Sequence, residues 1–152
     1  MRITITATGQ RKLAAITPIK RLVRFLTEAA GIRLNDFSLV LVSNEEIVAI
    51  NRIHLKHDYV TDVISYLLPA LPGDNGLPSG EIFVNIQRAD ETRKKRNWDK
   101  CRELALYIAH GIDHLTGADD ADKRGYLSMR RRELAWLRLA AKKGLLKGLI
   151  KK

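Results

Sequence analysis

Cysteine is nearly absent: Cys101 is the one thiol in 152 residues. It has no partner for an internal disulfide and no CxxC neighbour. The expectation is a reduced, cytoplasmic protein. No apolar run approaches the roughly 20 residues needed to cross a bilayer, so a membrane span is not expected. The opening stretch, MRITITATGQRK, alternates apolar and polar residues, which is strand patterning rather than a signal peptide. No internal repeat or low-complexity block occurs. What remains is one domain's length of chain with 45% hydrophobic residues, enough for a core.

Charge is plentiful but uneven. The formal net charge is +10. Residues 121–152 hold 11 Lys/Arg against two acids, a net of +9, while residues 1–120 hold 16 against 15, a net of +1. A clustered basic surface points to a polyanion, because each neutralised phosphate releases counterions. A solubilising tail or a surface drawn to acidic lipid would carry the same charge.

Periodicity divides the chain into strands at 3–7, 36–43, 61–68 and 81–87. Pro18 opens a helix that stops at Gly31. Asn44 reads as the N-cap of a second helix with Ile47, Ile50, Ile53 and His54 or Leu55 on one face. Residues 69–80 form a loop with three of the four prolines. From about Asp90 the chain is helical, first polar and then apolar, with Leu104, Ile108, Ile112 and Leu115 on one stripe. After Gly117 a basic helix follows, with Leu127, Leu134 and Leu137 inward and arginines outward. The fold class expected is α+β: a single domain over 1–142 with about four strands in a mixed sheet packed with helices. Residues 143–152 form a basic tail, read as frayed helix or disorder.

Histidine is scarce too, with four in the chain, yet two sit four apart in His110-Gly-Ile-Asp-His114-Leu-Thr-Gly-Ala-Asp-Asp120. Residues so spaced share a helical face, and two imidazoles there can reach one ion. Gly117 ends the helix and turns the chain back, so Asp119 or Asp120 can supply a third ligand. Two histidines and a carboxylate leave a position open, as in catalytic zinc sites. Gly111 follows His110 where HExxH metalloproteases carry Glu, so their built-in base is missing. The competing reading of such a pair is two histidines satisfied within a core.

Three ordered stretches resemble the YbeY family of bacterial metal-dependent endoribonucleases. Asn51–Tyr66 is similar to its NxxYRxxDxPTDVLSF segment, Gly80-Glu81-Ile82 to its GDI strand, and His110–Asp120 to its HGxLHLxGYDH signature. The resemblance runs from about residue 36 to 137. It implies a single-strand-specific endoribonuclease that matures the 3′ end of small-subunit ribosomal RNA and serves ribosome quality control. It implies one Zn2+ per chain on His110, His114 and Asp120, the last where the signature has a third histidine, with Asp119 one residue away. It implies catalysis by His110, His114 and Lys56. RNA contacts are expected at Arg52, Lys56, Thr61, Asp62, Ser65, Arg130 and Arg131. The partners implied are ribosomal RNA and the small subunit, for a monomeric, cytoplasmic protein. Three departures stand out: Leu55 replaces the family arginine, Asp113 a leucine and Ala118 a tyrosine. The rival functions are a non-catalytic ribosome-assembly factor and a zinc-dependent peptidase or other hydrolase.

Overall fold

Alternating side chains build the sheet. In the computed structural model, which describes residues 1–8 and 14–151, the strands are β1 (Arg2–Ala7), β2 (Asp36–Val42), β3 (Val63–Leu68) and β4 (Ser79–Asn85). Their order is β1-β2-β4-β3. β2 runs parallel to both β1 and β4, and β3 is antiparallel to β4. Phe37, Leu39 and Leu41 of β2 and Ile82 and Val84 of β4 enter the main core. Val40, Val42, Ile64 and Phe83 instead meet Ile47 and Ile50 in a smaller cluster. The sheet therefore buries both faces, one far more heavily.

Five helices complete the domain: α1 (Ile16–Ala30), α2 (Asn44–Leu55), α3 (Ile86–Arg96), α4 (Lys100–Leu115) and α5 (Lys123–Lys142). No helix is long and apolar enough to cross a membrane among the described residues. α4 is the pivot. Its residues from Glu103 to Asp113 are buried without interruption, as expected of a helix wrapped on all sides. It touches α1, α3, α5, β3 and β4. Gly111 permits the approach to the sheet: a Cβ there would lie 2.9 Å from Val63 Cγ2 and 3.2 Å from Ile82 Cδ1. The missing glutamate of HExxH thus has a steric cause, since only glycine fits between helix and strand.

Several expected boundaries shift. Ser43, not Asn44, caps α2, in a reciprocal box with Glu46. Ile53 is 73% exposed, because it lies off the face that carries Ile47 and Asn51. Pro18 sits two residues inside α1, still in the first turn, where an N–H has no helical partner. The helical region after β4 is two helices, since Asn97 takes a left-handed conformation (φ 56°) and Asp99 caps the next start. Leu127 points to solvent, because α5 buries Met129, Glu133, Trp136, Leu137 and Ala140, a stripe two residues out of step with it. The segment after Lys142 packs rather than frays: Leu149 is fully buried, and its carbonyl accepts the Ala15 N–H at 2.9 Å. Of the residues read as strand lead-in and as tail, 9–12 and 152 lie outside those described.

Candidate metal centre and its cleft

α4 ends by presenting two imidazoles to one point. His110 Nε2 and His114 Nε2 are 3.1 Å apart. Asp120 Oδ2 lies 3.4 Å from the first and 3.6 Å from the second. A tetrahedral ion with ligands at about 2.0–2.2 Å would set them about 3.3–3.5 Å apart. The other ring nitrogens are also engaged. His110 Nδ1 is 2.8 Å from Glu133 Oε2, and His114 Nδ1 is 3.2 Å from the Ala118 carbonyl. Each Nδ1 faces an acceptor, and in the Nδ1–H tautomer that this favours, each ring turns an Nε2 lone pair to the shared point. Three lone-pair atoms then converge on one another. A cation set between them would satisfy all three, so the residues present fit a metal ion, and they are the one such cluster among the described residues.

The loop between α4 and α5 sets which carboxylate faces the histidines. Asp119 Oδ1 accepts the Ala121 N–H at 2.9 Å, which ties it into its own turn. Asp120 is left to face the histidines. Gly117 (φ +93°) starts the turn, and at Gly125 a Cβ would collide with the Asp119 carbonyl oxygen. Asp122 then caps α5 through the Gly125 N–H.

Behind the histidines lies a buried acidic pair. Glu133 is fully buried and so is Asp113. Arg132 donates to both Asp113 oxygens, at 2.9 and 3.0 Å. Burial, with Glu133 adding to it and Arg132 opposing, pushes the Asp113 carboxyl up to about 6. For His110, burial works against the imidazolium, but the bond and charge of Glu133 outweigh it and raise the pKa. That carboxylate makes the ring a stronger ligand and fixes its orientation. Glu133 was missed at the sequence level. It lies 23 residues from His110 and inside an arginine run that looks like a solvated face.

An open cleft of about 470 Å³ covers the triad. Thr61, Asp62 and Ser65 line it beside His110, His114 and Asp120. Their own bonds show what holds them. Ser65 Oγ donates to the Gly111 carbonyl at 2.8 Å, fixing β3 against the histidine helix. Asp62 Oδ1 accepts the Val63 N–H at 2.8 Å. Asn85, fully buried, caps α3 and donates to Asn44 Oδ1 and the Thr61 carbonyl. Asn51 Nδ2 holds the Tyr59 carbonyl at 3.1 Å.

The expected cations do not gather here. Lys56 and Arg52 are exposed and absent from the cleft lining. Arg52 pairs with Asp58 at 2.6 Å. Lys56 is the left-handed cap of α2. Of the α5 arginines, Arg131 is exposed, Arg132 serves Asp113, and Arg130 lies half-buried beside Glu133 (4.0 Å) and the Tyr126 ring. The expectation that these arginines all face outward therefore fails: two of the three answer buried carboxylates. Trp136 is core, and Trp98 is stacked by Arg96 and Arg102.

A family model described as endoribonuclease YbeY matches residues 6–140. A curated relative of that name from Salinibacter ruber is 33% identical over 132 residues, 84% of this chain and 83% of its own. Another so named, from Carboxydothermus hydrogenoformans, is 30% identical over 118 residues, 74% of this chain and 81% of its own. The solution structure of a Thermotoga maritima protein superposes with a TM-score of 0.60 over 96% of this chain and 94% of that one, at 21% identity; at that identity it speaks for the fold alone.

Proposed function

The chain belongs to the endoribonuclease YbeY family, and from that premise we propose that it hydrolyses phosphodiester bonds within single-stranded RNA, with one Zn2+ held by His110, His114 and Asp120. The substrate assigned is ribosomal RNA near the 3′ end of the small-subunit molecule, in the cytoplasm, with ribosome quality control as the wider role. The small subunit is the partner, and the monomer is the working form. The observation that carries the reading is the convergence of two Nε2 atoms and one Oδ2 on a point at the base of an open cleft.

When bound, the ion lowers the pKa of a water toward about 7 and polarises a phosphoryl oxygen. The chain's residues do the rest. Glu133 and the Ala118 carbonyl hold the two imidazoles in the ligating orientation. Thr61, Asp62 and Ser65 define the wall opposite. Tyr59, 56% exposed on the rim, offers a ring on which an unpaired base can stack. Arg52, Lys56 and Arg131 remain at the surface to meet phosphates.

The test joins metal content to cleavage. Elemental mass spectrometry of untagged protein should give about one zinc per wild-type chain and a sharp loss in Asp120→Ala. The zinc-loaded wild type should cut single-stranded RNA, stop with EDTA, and leave unstructured peptides intact. Zinc retained in full by Asp120→Ala, or peptides cut in place of RNA, would overturn the assignment.

A further inference from the structure

Hydrolysis of a phosphodiester leaves one problem that the triad does not solve: the departing ribose oxygen must acquire a proton. His110, His114 and Asp120 have turned their free atoms to the metal point. Asp62 accepts the Val63 N–H on Oδ1, and a carboxylate ordinarily has no proton to give near neutrality. Among the described residues that line the cleft, two further side chains can exchange a proton, His57 and Tyr59. An imidazole is the side chain that ordinarily does so near neutrality. We propose that His57 is a catalytic residue of this cleft, the general acid that protonates the leaving ribose oxygen. The inference rests on the nuclease reading and adds to it.

The backbone explains why His57 and not its basic neighbour occupies this place. α2 ends at Leu55, and Lys56 takes a left-handed turn with φ 57°. The His57 N–H then closes on the Asn51 carbonyl at 3.3 Å. The turn leaves Lys56 outside the lining and puts Leu55 and His57 in it. The imidazole sits against the Tyr59 ring, with centroids 5.3 Å apart, and is itself exposed to incoming substrate. The titratable groups that share the cleft with it are Asp62 on the approach to β3, His110 and His114 of α4, and Asp120 of the following loop. On its own side stand Lys56 and the paired Arg52 and Asp58.

The step balances. The nucleophilic oxygen, from water or a ribose 2′-hydroxyl, forms a new bond to phosphorus and gives its proton to solvent in the open cleft. The bond from phosphorus to the departing ribose oxygen breaks, with its electron pair on that oxygen. The imidazolium of His57 delivers the proton, and the neutral ring recovers one from water.

The experiment is single-turnover cleavage of a single-stranded RNA oligonucleotide by zinc-loaded protein from pH 5 to 9, for wild type, His57→Gln and His57→Lys. Zinc content is measured on each. The wild-type rate should fall on the alkaline side as the acid is lost. His57→Gln should keep its zinc and its half-saturating enzyme concentration, drop about 10²-fold in rate near neutrality, and lose that alkaline limb. His57→Lys should not recover the rate, because an ammonium holds its proton too tightly. A His57→Gln rate within threefold of wild type with the same limb would overturn the inference. Full activity in His57→Lys would do so too, by making the residue a mere charge. Wild-type protein that holds zinc yet cuts no RNA would overturn the proposed function itself and this inference with it.

Discussion

The two walls of the cleft are made differently. The helical wall is α4 backed by α5: His110 is 5% exposed, Asp113 and Glu133 fully buried, and each imidazole is held through its Nδ1. The opposite rim, residues 52–60, is exposed throughout, held by the Asn51 side-chain amide on the Tyr59 carbonyl, the His57 N–H on the Asn51 carbonyl and Arg88 on the Val60 carbonyl. Metal binding needs fixed donors, since three atoms must keep their mutual spacing to a few tenths of an ångström. Meeting a flexible polyanion needs access. The molecule assigns rigidity to one wall and access to the other.

The sharpest test of this contrast is Glu133→Gln. The amide keeps the shape but gives His110 Nδ1–H a neutral acceptor, and zinc affinity should fall about 10- to 100-fold, read by competition with a chelator. Undiminished affinity would mean the helical wall is not preorganised by its acids.

A comparable effect is expected from pH. His110 is raised, so its share of stability is present while the imidazolium persists and is lost as pH climbs through its folded pKa. Asp113, raised from 3.8 to about 6, is costly once ionised, so its share also declines as pH rises between those values. The two run in the same direction. EDTA-treated protein should lose on the order of 3 kcal/mol between pH 4 and 8, followed by urea midpoints, and zinc should reverse the trend because it binds the deprotonated ligands. A flat metal-free profile would sink the idea that the acids are strained.

The least effect belongs to the rim. Arg52→Ala removes an ion pair that is well exposed on both sides, so stability should change by less than about 1 kcal/mol. A larger loss in thermal melts would show that the rim is built like the opposite wall.

The same contrast governs what could be read in advance. Strands announced themselves by alternation, and α4 by its apolar stripe and the four-residue spacing of its histidines, because both signals are local. The mixed sheet followed from those elements. Glu133 was hidden, since its partner lies on another helix and arginines surround it. Spacing alone left Asp119 beside Asp120, the family signature pointed to Asp120, and the Asx turn at Asp119 gives the physical reason. The place of His57 in the cleft lining follows one left-handed residue, Lys56, which no periodicity announces. The rim's cations were placed by analogy, and Arg52 and Lys56 fall outside the cleft lining.

The loop that carries Asp120 has a consequence for the history of such sites. Two helices fix His110 and His114, whereas Asp120 hangs from a turn between Gly117 and Gly125. A carboxylate in place of the signature's histidine leaves both glycines untouched. The hardness of the centre, and with it the choice among divalent ions, is therefore an interchangeable part: a lineage can exchange it by one codon while the rest of the machine stays in service.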